Sequence, residues 1–299
     1  METIKSRPLY RGFDKESLDR EYNARASVPS FVVEYARCVA ESERAKQEHR
    51  RIADIIYDEA SGETLDFYPA EPGAPAFLWI HGGYWRGGSK EDNAFVVPGL
   101  TANGMAVAVL NYTLAPRVSL DEIVRQTRAA IAFLHTRREQ FEIAAGGIAV
   151  GGSSAGAHLV GMLLAEGWHS EFAVPNDVIR VALALSGLYD IEPLRHTHVD
   201  AWLGLDTASI ERNSPLRHVP TRSTTALLAS VGGRETSEFC RQTADYAAAW
   251  TAAGHRGSVI GMPLHNHFDI ALSLREHDGT LARAVAAAVG EKWSAVVKS

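Results

Sequence analysis

Gly152-Ser153-Ser154-Ala155-Gly156 is the stretch of this chain most able to do chemistry. It places a serine between small residues, after the apolar run 147–151 and before a helix-like run that begins at Ala157. Strand, sharp glycine turn, serine, helix is the context in which G-x-S-x-G becomes a nucleophile elbow. Such a turn holds the Ser154 hydroxyl clear of the sheet, and the glycines let strand and helix backbones pass closely. A bare G-x-S-x-G is more often only a turn, so the rest of the machinery must be sought elsewhere in the chain.

A second motif, His81-Gly82-Gly83-Tyr84-Trp85, ends the apolar run 76–80. A loop of this kind can offer backbone N–H groups to a developing oxyanion, because glycine leaves the approach unobstructed. Gly83 and Tyr84, with Ala155 after the serine, are the expected donors, and Gly82 is expected to shape this oxyanion loop. His81 reads as a structural residue of the loop. Phosphate binding is disfavoured, since neither G-K-[ST] nor G-x-G-x-x-G is present. Tyr84 and Trp85 are the expected aromatic wall for the substrate, with loop packing an equal role for Trp85.

A nucleophilic serine needs a base, and the base needs an orienting acid. Of the 12 histidines, His267 and His265 follow the last apolar run, 258–262. Spacing alone does not separate them. The acid should follow the run 226–231, where the loop holds Glu235 and Glu238 and no aspartate. Asp190 is a third option. Glu238 also suits a first-turn position in the helix starting near Thr236.

At these residues the chain resembles the serine-hydrolase kynurenine formamidases (arylformamidases) of the α/β-hydrolase superfamily. The matching pieces are Tyr22-Asn23-Ala24-Arg25, the His81 to Trp85 loop, Asn111-Tyr112-Thr113-Leu114-Ala115-Pro116, the elbow with His158-Leu159, Leu185-Ser186-Gly187-Leu188-Tyr189-Asp190, Val231 to Phe239, and Asn266-His267-Phe268. The family pattern carries aspartate where this chain has Glu235. The resemblance implies the catalytic set Ser154, Glu235 and His267, the oxyanion set Gly82, Gly83, Tyr84 and Ala155, and an aryl formamide such as N-formylkynurenine as substrate. The match to broader esterases is weaker, because Tyr84 replaces their third glycine and Thr113 an arginine. A carboxylesterase, or another amide or carbamate hydrolase, is the alternative activity. A non-catalytic binding protein of the same fold is the remaining class.

The elements that must position these residues follow from periodicity. The runs 51–57 and 63–68 read as an antiparallel pair about Ser61-Gly62. Six further strands alternate with helices at 76–80, 105–110, 147–150, 181–185, 226–231 and 258–262. That alternation predicts an α/β-hydrolase-type, mostly parallel eight-stranded sheet with helices on both faces. Residues 1–299 are expected to form one domain. Residues 30–49 read as a helix with Phe31, Val32, Tyr35, Val39 and Ala40 at helical spacing. Within the segment 1–50, that helix belongs either to a cap over the site or to the domain flank. The connection 187–224 is long and should lie near the active site.

Composition bounds the partners. A net charge of −6 argues against nucleic acid. No apolar run is long enough for a membrane span, and Met1 to Arg7 lacks a signal-peptide core. Two cysteines, Cys38 and Cys240, make no disulfide framework, so a reducing, cytoplasmic setting is expected. The H-x-H pairs His196/His198 and His265/His267 lack a clear third ligand, so no metal and no cofactor is expected. The expected partner is a small-molecule substrate; a homo-oligomer is compatible with the composition.

Overall fold

The computed structural model describes residues 8–297. The segment Met1 to Arg7 lies outside the described residues. Among these described residues, eight strands form one sheet: β1 (Ile52–Asp58), β2 (Glu63–Tyr68), β3 (Ala74–Ile80), β4 (Ala106–Leu110), β5 (Ile143–Ser153), β6 (Ile179–Leu185), β7 (Ala226–Gly232) and β8 (Gly257–Met262). Their order is β1-β2-β4-β3-β5-β6-β7-β8. β1 pairs with β2 and β2 with β4 antiparallel, and every pairing from β4 through β8 is parallel. This is the α/β-hydrolase architecture.

The apolar runs in the sequence reflect a sheet buried on both faces. On β3, Ala76, Leu78 and Ile80 enter one core cluster, while Phe77 and Trp79 enter the other. β4 divides the same way, with Ala106, Ala108 and Leu110 against Val107 and Val109. β5 begins earlier than the apolar run suggested. A register shift against β3 and a φ of +106° at Gly147 mark an irregular first half there.

Among the described residues, ten α-helices cover the sheet and its loops: α1 (Lys15–Glu21), α2 (Phe31–Glu48), α3 (Val97–Ala102), α4 (Leu120–Thr136), α5 (Ala155–Leu163), α6 (Asp200–Leu203), α7 (Thr207–Asn213), α8 (Ser237–Ala252), α9 (Asp269–Leu272) and α10 (Thr280–Val297). α5 packs so tightly that a Cβ on Gly156 would stand 2.0 Å from the Ile80 carbonyl oxygen. A Cβ on Gly152 would stand 2.5 Å from the Gly156 carbonyl. Both glycines of the elbow motif are therefore contact requirements. Gly156→Ala is expected to lower unfolding free energy by about 3 kcal/mol, the upper range for overpacking, in urea denaturation. An unchanged midpoint would show that α5 can move off β3.

α2 corrects one expectation. It is a helix, started by Ser30, whose Oγ accepts from the Val33 N–H at 3.4 Å. Yet Val32 is 74% exposed and Val33 58%. The buried seam consists of the small residues Ser42 and Ala45, and the Ser42 hydroxyl accepts from the Phe95 N–H at 3.1 Å. The apolar residues at the start of α2 do not form its packed face.

Candidate active site

Ser154 sits between β5 and α5 with φ +57° and ψ −119°. A non-glycine residue in this region is strained by roughly 1–3 kcal/mol, and surrounding structure must hold it there. Its N–H donates to the Leu185 carbonyl at 2.8 Å, and its carbonyl accepts from the His158 N–H at 3.0 Å. β6 and α5 thus clamp the turn from both sides. The side chain opens into a cavity of about 840 Å³ that His267 also lines.

His267 lies in the loop between β8 and α9. Asn266 shapes this loop, accepting at Oδ1 from the N–H groups of Phe268 and Asp269 at 2.8 and 3.0 Å. His267 Nδ1 donates to Glu235 Oε2 at 2.5 Å, and the two side chains are 5% and 1% exposed. The other oxygen, Glu235 Oε1, accepts from the Ser186 hydroxyl at 2.5 Å and the Gly232 N–H at 2.7 Å. The glutamate is therefore anchored at one oxygen and offers the other to the imidazole. Ser186 had no role in the sequence reading. Only its place at the end of β6, beside the end of β7, could have marked it.

The rival residues are occupied elsewhere. Glu238 accepts from the Tyr22 hydroxyl at 2.7 Å and from Arg241 at 2.9 and 2.7 Å. Burial raises the Glu238 carboxyl, but Arg241 and Tyr22 prevail and hold it below its usual value. Asp190 accepts from the Tyr10 hydroxyl at 2.7 Å. His265 accepts the Arg234 N–H through its carbonyl at 3.1 Å, and its Nδ1 is buried without a partner.

In the loop after β3 the carbonyls of Gly82, Gly83, Tyr84 and Trp85 all accept a hydrogen bond. Gly82 O accepts from His81 Nδ1 at 2.7 Å, and Gly83 O from the N–H groups of Arg86 and Gly87. Tyr84 O accepts from Trp202 Nε1 at 3.0 Å, and Trp85 O from the Ala115 N–H at 2.7 Å. The N–H groups of Gly83 and Tyr84 have no acceptor among the described residues. Ala155, as the first residue of α5, has an N–H with no preceding helical turn to bond. The loop lies against the elbow, since a Cβ on Gly82 would stand 3.2 Å from Ser154 Cβ. His81 stacks on Tyr112 with ring centroids 4.3 Å apart, and burial pushes its imidazole down to about 4. It is a neutral strut of the loop.

Tyr84 and Trp85 part company. Both have positive φ, +52° and +56°. Tyr84 lines the cavity, and its hydroxyl donates to the Tyr22 carbonyl at 2.5 Å. Trp85 is fully buried, packs edge-on against His158 at 4.8 Å and does not line the cavity. The expectation that Trp85 contacts substrate is corrected: its indole is core. The aromatic wall is completed instead by Phe31 of α2, Phe268, and Trp202 of α6. Arg25 lies over Phe31 at 4.3 Å, and Arg86 over Trp202 at 4.7 Å. Phe31, Tyr35 and Cys38 bring the start of α2 to the cavity. His198 and Trp202 do the same for the connection 187–224. Burial pushes the Cys38 thiol up to about 11, which leaves it a poor nucleophile.

Comparison with known proteins fits this geometry. Residues 65–228, more than half of the chain, match the BD-FAE family model. The chain belongs to the BD-FAE family. A kynurenine formamidase of Danio rerio is 29% identical, over 84% of this chain and 86% of that protein. A kynurenine formamidase of Salmo salar is 27% identical, over 94% and 99%. A solved Silicibacter sp. structure, provisionally called a thioesterase, is 25% identical with a TM-score of 0.77, covering 90% of this chain and 98% of that one. Among the described residues, no helix is long and apolar enough to cross a membrane.

Proposed function

We propose that this BD-FAE family member is a serine hydrolase of the arylformamidase type, cleaving N-formylkynurenine or a similar aryl formamide through an acyl-enzyme. The observation that carries the reading is the sealed Glu235–His267 pair facing the same cavity as the strained Ser154. The two fish kynurenine formamidases, matched over most of their length, support the substrate class.

Ser154 Oγ attacks the formyl carbon as His267 Nε2 takes the hydroxyl proton. Glu235 keeps the Nδ1 proton in place and stabilises the imidazolium. The carbonyl oxygen becomes an oxyanion facing the N–H groups of Gly83, Tyr84 and Ala155, with Gly82 shaping the loop. One such donor contributes about 3–4 kcal/mol to transition-state stabilisation. The tetrahedral intermediate collapses, His267 protonates the departing aryl amine, and the formyl group stays on Ser154. Water, activated by His267, then releases formate. Tyr84, Trp202, Phe31 and Phe268 surround the aryl group. With Cys38 and Cys240 both free, we place the enzyme in the cytoplasm as a single catalytic domain.

An ester or thioester substrate is the second reading, favoured by the Silicibacter relative. Steady-state kcat/KM on N-formylkynurenine and on p-nitrophenyl acetate separates them. The formamidase reading expects the formamide to be favoured by at least about tenfold, a 1.4 kcal/mol difference in transition-state binding. Efficient ester cleavage with negligible formamide turnover would move the activity to the esterases and leave the catalytic groups as assigned.

A further inference from the structure

Two histidines that line this cavity, His267 and His198, are each bonded to a carboxylate, and the proposed acyl transfer uses one of these pairs. His267 and Glu235 are sealed from solvent. The other pair, His198 with Asp19, is 38% exposed at each side chain. Asp19 belongs to α1 and His198 to the 187–224 connection. Asp19 Oδ1 accepts both the His198 backbone N–H at 2.6 Å and ring Nδ1 at 2.7 Å. Two bonds to one oxygen fix the orientation of the imidazole as well as its position. The ring also meets Tyr84 edge-on at 6.2 Å and Trp202 at 5.7 Å. Trp202 is in turn bonded to the Tyr84 carbonyl. His198 is therefore held against the loop that faces Ser154, and it lines the cavity.

This arrangement sets the tautomer. A carboxylate at Nδ1 keeps a proton there, so in the neutral ring Nε2 is the lone-pair acceptor. A neutral imidazole backed by a carboxylate carries one net negative charge. It suits a hydrogen-bond donor, above all a cationic one. We infer that His198, aimed by Asp19, binds an aliphatic N–H or ammonium group on the leaving-amine part of the substrate. The inference rests on the formamidase reading in one respect. A formyl group is too small to fill a cavity of about 840 Å³, so the walls away from Ser154 face the amine. His198 is then a substrate-binding residue and Asp19 a positioning residue.

The test reads product affinity, which does not require formamide turnover. Kynurenine and the same aryl keto acid lacking the aliphatic amine would be compared as competitive inhibitors of p-nitrophenyl acetate hydrolysis. Wild type is expected to bind kynurenine about tenfold tighter, the scale of one hydrogen bond to a charged group. His198→Phe should abolish that preference, Asp19→Asn should weaken it, and His198→Gln, which keeps an acceptor oxygen, should restore part of it. The preference is the ratio of the two inhibition constants on one variant, so it is read independently of any change in that variant's ester kcat/KM, and a retained melting temperature shows that the variant has folded. Equal binding of the two compounds by wild type overturns the inference. So does an equal loss for both compounds in His198→Phe, which would make the pair a strap between α1 and the connection. Failure of wild type to hydrolyse N-formylkynurenine would count against the formamidase reading alone, because the amine preference is read separately on the ester.

Discussion

Ser154→Ala is expected to lower kcat by about 10⁶-fold, the scale seen when the nucleophile of a serine hydrolase is removed. The reason is local. In the proposed mechanism Ser154 Oγ supplies the electron pair that forms the acyl-enzyme, and no neighbour can substitute. Ser153 also lines the cavity. It is the last residue of β5, however, and lacks the turn that lifts Ser154 off the sheet. Cys38 carries a thiol pushed up by burial. The fold should not change, because alanine keeps a Cβ and so keeps the strain at φ +57°. Ser154→Gly should behave differently: equally inactive, but more stable by about 1 kcal/mol, since glycine occupies that conformation without cost. Circular dichroism, urea unfolding and steady-state kinetics on both variants check this together. Turnover in Ser154→Ala within a hundredfold of wild type would remove Ser154 from the mechanism.

The parts of this protein legible in the sequence are those whose signals are local. The central strands were readable because a sheet buried on both faces writes continuous apolar runs, as in 76–80 and 181–185. Ser154 was readable because the elbow needs glycines at fixed places in one pentapeptide. The acid was not fixed by spacing, since Glu235, Glu238 and Asp190 all follow strands at the same end of the sheet. What separates them is long-range: Tyr22 joins the helical neighbour Arg241 in holding Glu238, Tyr10 holds Asp190, and His267 meets Glu235. For Trp85 the sequence left substrate contact and loop packing equal, and only the tertiary contact of its indole with His158 decides for packing. Val32 was misjudged because α2 seats on a short seam of small residues, Ser42 and Ala45, which apolar spacing at the start of the helix does not mark. The contact between Asp19 and His198 joins residues 179 apart in the chain, and no local pattern announces it.

Glu235→Gln should lower kcat by about 10⁴-fold, as expected when the base is held in the wrong tautomer. The hydrogen bonds around Glu235 make that outcome specific. Ser186 and the Gly232 N–H both donate to Oε1, so glutamine must keep its carbonyl oxygen there. Its NH₂ group then faces His267 Nδ1 and donates to it. The imidazole must carry its proton on Nε2, where it cannot accept the Ser154 proton. Glu235→Asp keeps the charge but withdraws it by one methylene from a contact now at 2.5 Å. It should therefore retain far more activity than the isosteric amide, even though it changes the shape more. A purely steric role for Glu235 predicts the reverse order. The control is Glu238→Gln, which loosens the Arg241 and Tyr22 contacts. Its cost should appear in unfolding free energy and leave kcat nearly intact. If Glu235→Gln stays within tenfold of wild type, the carboxylate is not orienting His267. If Glu238→Gln is the variant that loses turnover, the acid has been assigned to the wrong glutamate.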